Sequence, residues 1–165
     1  MSEIRGEQVD LPGPDKGKFA VVIRNVLSES ECQELIARTE AAGYVDAMVN
    51  IGGGREMLMT DYRHSKRCII DDVSYAAELK SRIEDFLPKT KAGRSLVSLN
   101  ERLRFLRYTS GDFFAPHCDG SYIRENGEKS LITLMLYLNG GIAGGTTRFI
   151  NVCISSAVLI TKYLY

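Results

Sequence analysis

The sequence predicts an α+β fold with a double-stranded β-helix (jelly-roll) core. Three observations predict it. Two helical patterns with capping residues occupy the first half of the chain, beginning at Ser28 and at Asp72. Short strand-like runs follow from Leu99 onward. One of these, Leu131 to Asn139, is apolar at nearly every position. Helices first and short strands after is the element order of an α+β domain, and several short strands in succession suit a jelly roll.

Taken in order, residues 1–17 read as a flexible lead-in, with Pro12, Gly13 and Pro14 as breakers. Residues 18–165 then form a single domain. Phe19 to Ile23 is rich in β-branched residues and reads as a strand. Ser28 followed by Glu31 makes a capping box, and Cys32, Leu35, Ile36 and Thr39 recur at helical spacing up to Gly43. Tyr44 to Asn50 reads as a further strand, and Gly52-Gly53-Gly54 as a turn. That glycine run lacks the lysine and serine of a phosphate-binding loop. His64 reads as a surface or loop histidine, Arg63 and Arg67 as solvated charges, and Cys68 to Ile70 as extended chain.

Asp72 caps a second helix, roughly Val73 to Phe86, halted by Leu87-Pro88. Its expected apolar stripe is Val73, Ala76, Ala77, Leu79, Ile83 and Phe86. Thr90 to Ser95 reads as a loop. In Arg102 to Tyr108, alternation places Arg104, Leu106 and Tyr108 on one face and Leu103, Phe105 and Arg107 on the other, and either face can be the inner one. In Leu131 to Asn139, Leu131, Thr133, Met135 and Tyr137 share one face, and Ile132, Leu134, Leu136 and Leu138 share the other. Apolar residues on both faces predict a strand buried between layers.

Composition narrows the function classes. Hydrophobic content of 44% and charged content of 25% are ordinary for a globular chain, so 165 residues form one domain with a real core. A formal net charge of +0 offers no attraction to nucleic acid or an anionic membrane, and neither is expected as a partner. No apolar run is long enough to span a bilayer, and the first residues lack a signal-peptide core. An intracellular, cytoplasmic protein is expected. Cys32, Cys68, Cys118 and Cys153 are widely spaced and read as reduced thiols, mostly buried.

Chemistry concentrates between Arg102 and Phe149. His117 and Asp119 stand two apart in a segment that reads as strand, so their side chains project to one face while Cys118 points away. One nitrogen and one oxygen donor on a common face suit a divalent transition metal such as Fe(II). Around the pair run Leu106-Arg-Tyr-x-x-Gly-x-x-Phe-x-x-His-x-Asp119, Ser130-x-x-Thr-x-x-x-Tyr-Leu-Asn139 and Gly144-Gly-x-Thr-x-Phe149. In that order and spacing, these motifs resemble the Fe(II)/2-oxoglutarate-dependent dioxygenases of the prolyl 4-hydroxylase type. Val26 to Leu35 resembles the opening helix of the same family.

The resemblance implies a jelly-roll oxygenase. His117 and Asp119 would be its metal ligands and catalytic centre. Tyr108, Tyr137 and Thr147 would contact the cosubstrate 2-oxoglutarate, with Tyr108 facing the pocket, and Arg63 or Arg67 would line the substrate mouth. Oxidative decarboxylation of 2-oxoglutarate with O2 would be coupled to hydroxylation of a C–H bond, with ascorbate as reductant. The substrate is open: peptidyl proline, another protein residue or a small molecule.

The chain also departs from that pattern. It has two histidines, His64 and His117, and none after His117, so the family's distal iron ligand has no counterpart. Residues after Phe149 do not follow the family's motifs. They read as the end of a truncated or frame-altered chain whose jelly roll is incomplete at the C-terminus. An open sheet edge there would favour self-association. Two further readings stand beside the oxygenase: a non-catalytic fragment or binding protein of the same fold, and a metal-free sugar- or small-molecule-binding jelly roll.

Overall fold

The computed structural model describes residues 3–11, 13–52, 54–148 and the strand at 157–161. In chain order the elements are β1 (Arg5–Gln8), β2 (Ala20–Arg24), α1 (Glu29–Ala42), β3 (Val45–Asp46), β4 (Val49–Asn50), β5 (Glu56–Met57), β6 (Arg63–His64) and β7 (Lys66–Asp71). Then come α2 (Val73–Ile83), β8 (Thr90–Lys91), β9 (Arg94–Ser95), β10 (Arg102–Arg107), β11 (Phe113–Phe114), β12 (Thr133–Leu136) and β13 (Ala157–Thr161). Short 3-10 turns cover Gly13–Asp15 and Glu84–Phe86. The fold is α+β: two α-helices with several small sheets, and the described strands close no barrel.

One sheet has the order β1-β2-β13-β12 and a second has the order β10-β7-β3. Three two-stranded pieces, β11-β6, β4-β5 and β8-β9, complete the set. The β10-β7 pairing is antiparallel along its whole length, from Arg102↔Asp71 to Arg107↔Lys66. By contrast, β13 runs parallel to both neighbours, with Leu159 opposite Val22 and Met135.

Both helices start where their caps place them. Ser28 accepts from the Glu31 amide while Glu31 accepts from the Ser28 amide, which is the expected capping box. At the other end, Gly43 adopts φ 87° and its amide donates to Thr39, a geometry that favours glycine. Asp72 accepts from the Tyr75 amide at 2.9 Å and caps α2. Arg82 then joins the two helices, reaching Glu31 and the Val26 carbonyl. The Arg82 guanidinium and the Ser28 amide bring the Glu31 carboxyl down to about 2.

The core gathers where α1 and α2 meet β2. Val21, Ile23, Val26, Leu27, Cys32, Leu35, Leu79 and Ile83 form one buried cluster. Side chains on β2 alternate less than a one-faced strand would, because Ala20 to Ile23 are all buried.

Several expectations change in three dimensions. Arg5–Gln8, inside the segment read as flexible lead-in, pairs antiparallel with β2 residue by residue. Phe86 lies so close to Gly6 that no side chain fits there, which ties β1 to the end of α2. Leu11 is buried as well. On α2, Ala76, Leu79 and Ile83 are buried, but Val73, the first residue of the helix, is 72% exposed. Thr90 to Ser95, read as a loop, is a tight antiparallel hairpin. Cys32 and Cys68 are free and buried as expected, whereas Cys118 is disulfide-bonded rather than reduced. Cys153 and Phe149 lie outside the described residues.

The strand expected between two layers is covered on one side only. Ile132, Leu134, Leu136 and Leu138 pack against the core cluster, yet every residue of β12 stays half-buried. It stands at the edge of its sheet, with β13 on one side. Its other face is left for polar contacts. Of the C-terminal segment read as truncated or frame-altered, only Ala157–Thr161 is described, and it occupies an inner place in this sheet.

Candidate metal centre

Two strands lead the chain to the candidate site. β10 carries Phe105 against the core and ends at Arg107. A turn follows, in which the Asp112 amide donates to the Thr109 carbonyl and the Asp112 carboxylate accepts from the Thr109 amide and hydroxyl. Gly111 supplies the φ of 86° this turn requires. The chain then pairs through Phe113 and Phe114 with His64 and Arg63 on β6. Beyond Phe114 it leaves the sheet.

His117 and Asp119 therefore stand in irregular chain and not in the strand that the two-residue spacing suggests. They come together nonetheless. His117 Nε2 lies 3.6 Å from Asp119 Oδ1, with the side chains 32% and 55% exposed. His117 Nδ1 lies 2.8 Å from the Ala115 carbonyl oxygen. A carbonyl only accepts, so Nδ1 donates to it, and Nε2 is the nitrogen that faces Asp119. Phe114 stacks on the imidazole at 3.6 Å between centroids and 18° between planes. Asp119 Oδ2 accepts from the Thr133 hydroxyl at 2.6 Å, which leaves Oδ1 toward His117.

This donor set suits a metal ion as far as it goes. A nitrogen and an oxygen 3.6 Å apart leave room for an ion bonded to both at about 2 Å. The Nδ1–H bond to a backbone carbonyl and the Thr133 bond to the free carboxylate oxygen are the kind of outer contacts that orient metal ligands. Among the described residues no further His, Cys, Asp or Glu joins the pair as a group of three. His64 is engaged elsewhere, with its Nδ1 2.5 Å from Asp112 Oδ1.

The remaining candidate residues divide. Tyr137 and Thr147 share a hydrogen bond through their hydroxyls. Thr133 and Tyr137 fall on the same face by alternation, so the face of β12 opposite the core carries both Asp119 and the Tyr137–Thr147 pair. Tyr108 is 44% exposed and lies beside Arg63, whose charge its hydroxyl supports. Arg63 and Arg67 are not solvated charges. Arg67 is buried and forks onto Glu56 at 3.0 and 2.8 Å. The Arg63 guanidinium lies 4.5 Å over the Phe114 ring. Burial pulls the pKa of Arg63 below the usual arginine range.

Two participants, Thr133 and Phe114, were not singled out as site residues on sequence grounds. Both stood in the motifs, as the Thr of Ser-x-x-Thr and the Phe of Phe-x-x-His. Phe114 stood only as a motif position, and Thr133 as one of four residues on a strand face.

Among the described residues no helix is long and apolar enough to cross a membrane. Comparison of the chain with protein-family models, with curated proteins and with solved structures found no match.

Proposed function

We propose that the chain is an Fe(II)/2-oxoglutarate-dependent dioxygenase of the prolyl 4-hydroxylase type, with β10, β11 and β12 as strands of a jelly-roll core. The observation that carries the reading is the approach of His117 Nε2 to Asp119 Oδ1, 3.6 Å apart, each held from behind by its own hydrogen bond. His117 and Asp119 would hold the metal. Bound there, Fe(II) would supply the oxidation that couples decarboxylation of 2-oxoglutarate to hydroxylation of a substrate C–H bond by O2, with ascorbate as reductant. Everything else falls to the protein's own groups.

Thr133 keeps Asp119 aimed. Ala115 holds His117 with Nε2 facing Asp119, and Phe114 shields one face of its ring from water. Tyr137 and Thr147 present a pair of hydroxyls on the same strand face, suited to donate to a cosubstrate carboxylate. Tyr108 would contribute a third hydroxyl. His117 and Asp119 would hold the ion less firmly than three protein donors would, and 2-oxoglutarate would supply further oxygen donors.

A second reading is a non-catalytic binding protein of the same fold. What favours it is the commitment of the one other imidazole, His64, to Asp112. One experiment separates the two. Succinate release that requires both Fe(II) and 2-oxoglutarate, and that disappears in His117→Ala and Asp119→Ala, supports the oxygenase. Fe(II) binding that the same variants abolish, without succinate, leaves the binding protein. Fe(II) binding unchanged in both variants removes the metal site itself.

A further inference from the structure

A second concave site lies on the other side of Phe114, independent of the metal pair. His117 stacks on one face of that ring, so the Arg63 guanidinium must take the opposite face. There a pocket of about 220 Å³ opens, whose wall includes Arg63, His64, Lys66, Arg107, Asp46 and Asp112. We propose that this pocket binds a monocarboxylate, held between Arg63 and the exposed edge of the His64 imidazole.

The geometry of His64 comes first. Its Nδ1 is 2.5 Å from Asp112 Oδ1, and the Asp112 side chain is 7% exposed. The Thr109 amide and hydroxyl bind the other carboxylate oxygen at 2.7 and 3.0 Å. The Thr109 amide, then His64, hold the Asp112 carboxyl below its usual range, so it stays ionised and Nδ1 donates to it. The imidazole is thus fixed from behind, while 60% of its side chain remains exposed at the pocket. In the protonated ring Nε2 is a donor, and it lies on the side of the ring away from Asp112.

Charge then selects the ligand. Lys66 is paired with Asp46 at 2.7 Å and Arg107 with Glu40 at 2.7 Å. Asp112 is committed to His64. Among the described residues Arg63 forms no ion pair: it donates to the Ser65 hydroxyl at 3.2 Å, to the Met48 carbonyl at 3.4 Å and to the Tyr108 hydroxyl. One uncompensated cation, partly withdrawn from water, remains in a wall that also holds two carboxylates. A single negative charge in a planar group matches that wall, since a guanidinium fork and one N–H suit a carboxylate. A dianion would meet Asp46 and Asp112 with excess charge.

The test is a titration of the full chain with propionate, at about pH 6, in the presence of a chelator that removes metal ions. Binding is followed by the His64 ring resonances and the Arg63 side-chain N–H. The expected result is a saturable shift of both. Arg63→Gln and His64→Asn should each weaken binding about tenfold, the loss of one charge-assisted hydrogen bond, and Arg63→Lys should restore part of it. Inorganic sulfate, a dianion at that pH, should bind more weakly than propionate. No saturable shift, an affinity in Arg63→Gln and His64→Asn unchanged from the parent chain, or tighter binding of sulfate would each overturn the proposal. His64→Asn keeps the test open if loss of Arg63 from the Phe114 face unfolds the chain.

Discussion

The chain up to Ile83 and the chain from Arg102 onward are built on different principles. Buried apolar side chains run from Leu11 to Ile83, where β2, α1 and α2 close on one another. From Arg102 to Arg148 no residue is fully buried. Apart from its strand pairing and the partly buried Phe105, Ile132, Leu134, Leu136 and Leu138, that region is tied together by single polar contacts: Thr133 to Asp119, Tyr137 to Thr147, Arg124 to Glu101 and Glu128. Burial gives the first region its stability, since each buried aliphatic side chain contributes about 1.5–3 kcal/mol. The second gains little from burial and has its carboxylates, hydroxyls and imidazole within reach of solvent. A site that must admit a metal and a substrate belongs to the second kind.

The largest expected effect is on stability and tests this contrast directly. Ile23→Ala, at a position with 0% exposure, should cost about 3–4 kcal/mol in denaturant unfolding. Leu134→Ala, on the half-buried β12, should cost about 1 kcal/mol, since a side chain that leaves less water-free space leaves a smaller cavity. Equal costs would make β12 part of the main core and erase the distinction. Next in size, Asp119→Ala should weaken Fe(II) binding about a hundredfold, and Thr133→Val, which removes only the outer hydrogen bond, about tenfold. Isothermal titration under anaerobic conditions measures both. A Thr133→Val as damaging as Asp119→Ala would mean that the threonine is itself a ligand.

The smallest effect concerns the helical side. Folding lowers the Glu31 carboxyl from 4.5 to about 2, so its contribution is full above about pH 4.5 and fades as pH falls toward 2. Stability followed from pH 6 to pH 2 should therefore fall more steeply in the parent chain than in Glu31→Gln. The pair is partly exposed, and the substitution should cost about 1 kcal/mol at neutral pH, lost cap included. Parallel pH profiles would show that Arg82 gains nothing from the carboxylate.

Much of the helical side was legible in one dimension. Ser28 with Glu31, Asp72, and Gly43 mark helix ends because they satisfy backbone groups within a few residues, and local chemistry of that kind is written in local sequence. The even face of β12 was legible too, as Ile132, Leu134, Leu136 and Leu138. It was the odd face that misled: Leu131 and Met135 suggested a second covering layer, whereas that face carries Thr133 and Tyr137 toward polar partners. Arg63 was read as a solvated charge because its partner, Phe114, is about fifty residues away in sequence; His64 is exposed, as a surface histidine is, but its bond to Asp112 spans an equally long stretch of chain.

The residues alone determined which chemistry is present: a histidine and a carboxylate two apart, tyrosines and a threonine in the motifs around them, no histidine after His117, and caps that start two helices. These follow from side-chain identity and from hydrogen bonds that close over short spans. Only the tertiary structure decided that His117 and Asp119 meet outside a strand, that Thr133 and Ala115 aim them, and that Arg5–Gln8 and Ala157–Thr161 add strands to the β2 sheet. Pairing between distant segments depends on which surfaces remain uncovered after the local elements form, and no local pattern records that.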